Sequence, residues 1–302
     1  MGLFDKFKTV LSSGKAKSSS KSSKKVDVEA RFEILRQAVS GTMSSFRKAR
    51  DRETDRIVGL KVLDPEKTEL FEQRFRALGK PSEGEIGMAI KHPRVVETYD
   101  YGQTTKGEQF IIMEFVEGPG LQQLINHQDP LLAGRRVLLI KQMVEAIDAV
   151  HKAGFIHRDI CPRNFICSPE VDSLKLIDFG LTLPDKPEFR QPGNRTGTPL
   201  YMAPEVVRRR WTDQRVDIFA FGVTAYHLCA LDLPWPVRET TGVAALAHDT
   251  QTPADIFEKC PRLNRQLGKV IMQCMSAAPD KRPESAEQVL RLLRNVEQDE
   301  EV

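Results

Sequence analysis

The segment "VDIFAFGVTAYHLC", residues 216 to 229, carries apolar side chains on nearly every side of a helix. Such a helix has no face to offer to water, so protein must surround it. The chain must therefore build a lobe of helices around a central one. "RRVLLIKQMVEAIDAVHKAG" supplies one neighbour, with Ile140, Met143, Val144, Ile147 and Val150 at helical spacing and Gly154 as a stop. From Ile256 to Val296 the pattern continues as further helices.

Before Gly120 the texture is different. "RIVGLKVL" and "FIIME" read as strands, and "EGPG" after the second reads as a hinge. Between them "ELFEQRFRAL" sets Phe71, Phe75 and Leu78 on one helix face. Further on, "NFIC" and "LKLI" flank the turn-rich "SPEVDS" and should pair as a small hairpin. Strands first and helices after, with a hinge between, predict an α+β protein of two lobes, with a ligand cleft where they meet. The expected division is a basic Ser/Lys-rich tail over 1–25, a first lobe over 26–116, a second over 117–297, and a short acidic tail over 298–302.

Charge and cysteine usage narrow the function. The net charge is +3, but residues 1–25 hold seven lysines and one aspartate. The tail therefore carries +6 and the rest of the chain −3, which gives the body no reason to bind nucleic acid. Five cysteines, at 161, 167, 229, 260 and 274, form no CxxC pair. Neither a zinc site nor a disulfide framework is indicated, and a reducing, cytoplasmic setting is expected. No run of eighteen apolar residues exists to span a membrane, and the opening residues lack the apolar stretch of a secretory signal.

Four short motifs follow in fixed order: "VGLK" ending at Lys61, "HRDICPRN" from 157, "IDFG" from 177 and "APE" from 203. Five positions separate Asp159 from Asn164, and fourteen more lead to Asp178. A lone aspartate is usually a turn or capping residue. Order and spacing together argue otherwise. Over roughly residues 30 to 295 the chain resembles the eukaryotic-type serine/threonine protein kinases. The resemblance implies a bilobal kinase-like fold, with a small, mainly β N-lobe and a larger, mainly α C-lobe. It also implies ATP and Mg2+ as cofactors and a protein substrate.

Carried over position by position, the resemblance gives Lys61 the inner phosphates, Asp178 and Asn164 the metal ions, and Asp159 the substrate hydroxyl. Counting back from His92–Pro93 gives Glu83 as the partner of Lys61, with Glu85 as the runner-up. Gly84 and Gly87 in that segment would each weaken a helix by about 1 kcal/mol relative to alanine, suggesting a loosely formed switch. Met113 would precede the hinge, where Glu114 and Val116 offer backbone groups to the adenine. Glu205 would pair with Arg282, and Asp217 would brace the catalytic loop. Arg158 would receive a phosphate on the activation loop over 178–205, with Thr196 as the acceptor ahead of Thr182, while Thr198 would contact Asp159.

Two departures stand out. The phosphate-covering loop offers Val39, Gly41 and Ser44 where three glycines are usual, so weakened nucleotide affinity is expected. Cys161 stands where serine/threonine members carry lysine, but Arg163 keeps a cation one place before Asn164, as tyrosine members do. The geometry of such a cation differs from a lysine's. "GTPLYMAPE" follows the serine/threonine pattern. An active kinase and a pseudokinase serving as a nucleotide-binding or allosteric module both remain open. In the tail, Leu3, Phe4 and Phe7 share a helical face beside Lys6 and Lys8, which suits either an interfacial membrane helix or a partner-docking peptide.

Overall fold

The computed structural model describes residues 25–40, 44–193, 195–236 and 244–297. The expectations placed on the tail over 1–24, on Gly41 and on residues 298–302 lie outside these. The N-lobe opens with a short helix α1 (Val28–Arg31), followed by strands β1 (Phe32–Ser40), β2 (Ser44–Asp51) and β3 (Arg56–Leu63). Helices α2 (Pro65–Glu72) and α3 (Glu83–Ala89) come next, then β4 (Thr98–Gln103) and β5 (Gln109–Glu114). The five strands form one antiparallel sheet in the order β1-β2-β3-β5-β4.

Period-2 alternation divides this sheet between two environments. Val58 and Leu60 of β3 pack with Phe110 and Ile112 of β5 on the outer face. On the other face Lys61 lies opposite Phe46 and Ile111, and Gly59 opposite Met113. Ile111 and Met113 belong to the large core that continues into the C-lobe. Strand β5 is thus apolar on both sides because it is buried on both sides.

The C-lobe contains α4 (Leu121–Asn126) and α5 (Arg136–Lys152), the short strands β6 (Phe155–Ile156), β7 (Phe165–Cys167), β8 (Leu174–Leu176) and β9 (Leu183–Pro184), and α6 (Pro204–Val207). Then come α7 (Arg215–Ala230), α8 (Ala247–Thr250), α9 (Ile256–Lys259), α10 (Arg265–Cys274) and α11 (Ala286–Leu293). Every residue of α7 from Val216 to Cys229 is buried, as its composition requires. Gly222 lets α10 approach closely, since a Cβ there would meet Cys274 Cβ at 2.8 Å. Strands β7 and β8 pair across the "SPEVDS" turn. The fold is α+β and bilobal, with the sheet in the small lobe and the helices in the large one. Among the described residues no helix is long and apolar enough to cross a membrane.

One local expectation needs correcting. "ELFEQRFRAL" is not one helix, because α2 tightens into a 3-10 segment over Gln73–Leu78. That segment ends at Gly79 in the left-handed region, φ 63°. Phe71 and Phe75 stay buried, but Leu78 is turned out to solvent. In α3 the glycines serve packing. A Cβ at Gly84 would lie 2.4 Å from Tyr101 Cβ, and one at Gly87 2.3 Å from Thr98 Oγ1. Their absence of side chain brings α3 against β4.

Candidate active site

The loop between β6 and β7 is held from beneath by Asp217 in the first turn of α7. Its carboxylate accepts the backbone N–H groups of His157 and Arg158, each at 2.8 Å, and meets His151 Nε2 at 2.9 Å. Burial works against this charge, but His151 and the N–H bonds outweigh it and hold Asp217 below the usual carboxylate range. The bonds also fix Arg158 at φ 70°, a strained conformation for a residue with a side chain. Asp159 follows directly. Its Oδ1 accepts from Thr198 N at 2.8 Å and Thr198 Oγ1 at 2.7 Å, and its Oδ2 accepts from Asn164 Nδ2 at 3.0 Å. Asn164 Nδ2 also donates to the Asp159 carbonyl at 2.6 Å, so the donor end of this amide is committed to the loop.

Across the cleft, Lys61 Nζ lies 2.5 Å from Glu83 Oε1 and 2.9 Å from Asp178 Oδ1. Lys61 and Glu83 are buried, whereas the Asp178 side chain is 47% exposed. Burial alone would lower the pKa of the ammonium, but the charges of Asp178 and Glu83 carry it above its ordinary value. Glu83 moves up because burial outweighs the pull of Lys61. Burial opposes Asp178 as well, yet Lys61 and the N–H of Gly180 bring it down to about 2. One positive and two negative groups therefore share the space. Glu85, the alternative partner, closes a capping box with Ser82 instead, accepting Ser82 N at 2.7 Å. Phe179 is buried with its ring edge-on to His157, centroids 5.7 Å apart.

Cys161 is fully buried, with Sγ 3.6 Å from Thr198 Oγ1. Burial, helped by Asp159, pushes its thiol up to about 11, which suits an inert packing residue. Arg163 is exposed and donates from NH2 to Thr198 Oγ1 at 2.7 Å. Since that hydroxyl donates onward to Asp159, a guanidinium sits one hydroxyl away from the carboxylate. The guanidinium of Arg158, by contrast, is buried and donates to Thr212 Oγ1 at 3.3 Å. Thr182 is fully buried, with Oγ1 3.4 Å from the His157 carbonyl, so this second candidate acceptor offers no accessible hydroxyl. Thr196 is half-buried.

Met113 is buried where β5 reaches the hinge. The Glu114 N–H donates to the Glu97 carbonyl at 2.8 Å, and its carboxylate accepts from Lys175 at 2.6 Å. The Val116 side chain is half-buried and packs on the main core. Ser44 opens β2 opposite Leu63. Sequence reasoning missed Phe46. Its ring lies on the cleft face beside Lys61, stacked on Phe115 of the hinge with centroids 6.1 Å apart. Gly59 makes room for it, since a Cβ there would lie 2.7 Å from the ring.

Below the cleft, Arg282 binds Glu205 with both ends of its guanidinium, at 2.7 and 2.8 Å. The same group donates to the carbonyls of Ser276, Ala277 and Arg215.

Comparison with known proteins agrees with this arrangement. A family model described as the protein kinase domain matches residues 32–292. The chain is 34% identical over 257 residues to the serine/threonine-protein kinase pkn3 of Myxococcus xanthus, covering 82% of this chain and 46% of that one. It is 30% identical over 270 residues to pkn2 of the same organism, covering 87% and 32%. It is 27% identical over 263 residues to PrkC of Bacillus subtilis, covering 86% and 39%. The chain thus spans about a third to a half of the length of these curated relatives. With the match running through both lobes and every element of the cleft, the chain belongs to the protein kinase domain family.

Proposed function

We propose that the chain transfers the γ-phosphoryl group of ATP to serine or threonine hydroxyls of proteins. The observation that carries this reading is the convergence of Lys61 and Asp178, 117 positions apart, on a cleft whose other wall presents Asp159. Phosphoryl transfer depends on placed charge more than on covalent chemistry. Asp159, kept in orientation by Thr198 and Asn164, accepts the proton of the incoming hydroxyl. Lys61, kept upright by Glu83, holds the inner phosphates. Arg163 supplies the cation that Cys161 cannot, and Glu114 and Val116 present backbone groups to the adenine beneath Phe46.

Mg2+ fits the residues present. Asn164 turns its amide nitrogen into the loop, leaving its oxygen as a hard donor, and Asp178 adds a carboxylate oxygen. Among the described residues no group of three or more acidic, histidine or cysteine side chains could hold a metal alone. That matches an ion taking one or two protein oxygens and completing its shell with phosphate and water. When bound, the ion neutralises charge on the phosphates.

The pseudokinase alternative rested on the glycine-poor loop, whose tip over 41–43 lies outside the described residues, and on Cys161, for which Arg163 offers a substitute. A cytoplasmic setting is in keeping with all five cysteines being free thiols. Phosphorylation at Thr196 as an activating step, and contact of residues 1–25 with membrane or partner, belong to the same reading. Labelled ATP with the purified chain and a generic basic protein, beside Asp178→Ala, tests it. Label transferred by the wild type and lost in the variant supports catalysis. Equal label in both, or none in either, removes it. Mass spectrometry of the active chain tests Thr196, and liposome sedimentation with and without residues 1–25 tests the tail.

A further inference from the structure

A third apolar cluster stands apart from both lobe cores. It joins Phe71 and Phe75 to Leu183 and Phe189, with Leu181 at its edge. All four main members are buried. The rings of Phe71 and Phe75 meet edge-on with centroids 5.4 Å apart, and Phe75 meets Phe189 at 6.0 Å. The Lys80 ammonium covers the open side of Phe71, 5.5 Å from its centroid.

The cluster crosses the cleft. Phe71 and Phe75 come from the N-lobe segment that leads into Glu83, while Leu183 and Phe189 come from the segment that follows Asp178. Leu183 is paired through β9 with Ile156, next to the loop carrying Asp159. Helix α3, which bears Glu83, has only seven residues and two glycines. A helix so short has little stability of its own and takes its position from what anchors it. Contact with β4 fixes one side of α3, but Glu83 is its first residue, at the end that the chain joins to the segment carrying Phe75.

We propose that Phe71, Phe75, Leu183 and Phe189 form a latch across the cleft that keeps both partners of Lys61, Glu83 and Asp178, in place. Phe75 and Phe189 are its positioning residues, acting through Glu83 rather than on substrate. The latch gives the active arrangement a support that needs no phosphate on the activation segment. Its consequence for turnover rests on the kinase reading above, but its effect on α3 does not.

The test uses the full chain carrying Phe75→Ala, Phe189→Ala, both together, or Phe75→Leu. Amide hydrogen exchange over residues 83–89 should accelerate about tenfold in either alanine variant, while exchange in α7 stays at the wild-type rate. KM for ATP should rise by a similar factor, about tenfold, with kcat changing less. The double variant should be little worse than Phe75→Ala, because the contact between Phe75 and Phe189 is already lost in either single variant. Phe75→Leu should recover most of the loss. Wild-type exchange over 83–89 in both alanine variants overturns the latch. So does equal acceleration of α7, which marks a general loss of stability. If Phe75→Ala does not fold, Phe189→Ala and Phe75→Leu are read in its place by the same criteria. A wild type without turnover defeats the kinase reading alone, and the exchange at 83–89 still decides the latch.

Discussion

Two buried charge clusters in this molecule make a useful contrast. Glu205 and Arg282 balance one for one, and the remaining donors of the guanidinium reach backbone carbonyls. Arg282 also stacks on Phe219 at 4.9 Å. Lys61, Glu83 and Asp178 do not balance. One ammonium faces two carboxylates, Glu83 is pushed towards its neutral form, and Asp178 stands half in solvent. The first cluster is complete within the protein and ties α6 to the segment before α11. The second carries surplus negative charge beside a cleft, which a divalent metal ion would offset. Burial alone does not separate a structural ion pair from a functional one. Charge balance and satisfied donors do.

The largest expected effects test this contrast directly. Arg282→Ala leaves Glu205 buried without a partner and should cost about 3–5 kcal/mol in a urea titration. Lys61→Ala should cost less than half of that, because Glu83 can take a proton and Asp178 reaches water. Its phosphoryl-transfer rate should instead fall by about 10²–10³-fold. Equal losses of stability in the two variants would erase the distinction.

Acid should separate the regions next. His227, hydrogen-bonded to the Tyr201 hydroxyl at 2.8 Å, is held down to about 4 by burial. Its unfolded value is near 6.5, so between the two the unfolded chain binds a proton that the native chain refuses. Stability should therefore fall as pH drops from about 6.5 through about 4, by on the order of 3 kcal/mol, and His227→Gln should flatten that slope. Over the same range Asp178 stays ionised, since its carboxyl lies below the usual range. The C-lobe frame should weaken in acid while Asp178 keeps its charge.

Smaller effects concern α3. Helix propensity favours alanine over glycine by about 1 kcal/mol, but Gly87→Ala would press against Thr98. Overpacking should prevail, with a net loss of about 1–2 kcal/mol by thermal or urea unfolding and a raised KM for ATP. A gain in stability would mark these glycines as weak points of the helix. Smallest of all, Cys161→Ala should lower activity by less than about tenfold in the labelled-ATP assay. Iodoacetamide should modify the thiol slowly at neutral pH, as expected for a group at about 11.

Much of the architecture was legible in order and pattern. The all-apolar stretch 216–229 demanded a central helix, and strand texture before Gly120 demanded a sheet. Motif spacing singled out Lys61, Asp159, Asn164 and Asp178, and counting back from His92 reached Glu83. What stayed hidden had no local signature. Phe46 is one aromatic in a polar strand, and only the register of β2 on β3 sets it above the cleft. Leu78 carries the helical spacing of Phe71 and Phe75, but the tightening to 3-10 geometry at Gln73 turns it outward. Phe189 lies more than a hundred positions from Phe75, so no periodicity relates them. Thr182 ranks behind Thr196 by position, but only its burial removes it as an acceptor.

The sequence by itself determined the type of fold and the order of its parts, and its resemblance to the family singled out the candidate residues for phosphate and metal. Periodicity and spacing are properties of neighbours along the chain, and they survive without coordinates. Only the tertiary structure decided which carboxylate meets Lys61, why the glycines of α3 are there, and what ties the Glu83 helix to the segment after Asp178. Those outcomes depend on distances of a few ångströms between residues far apart in the chain, where a single Cβ or a tightened turn changes which groups touch.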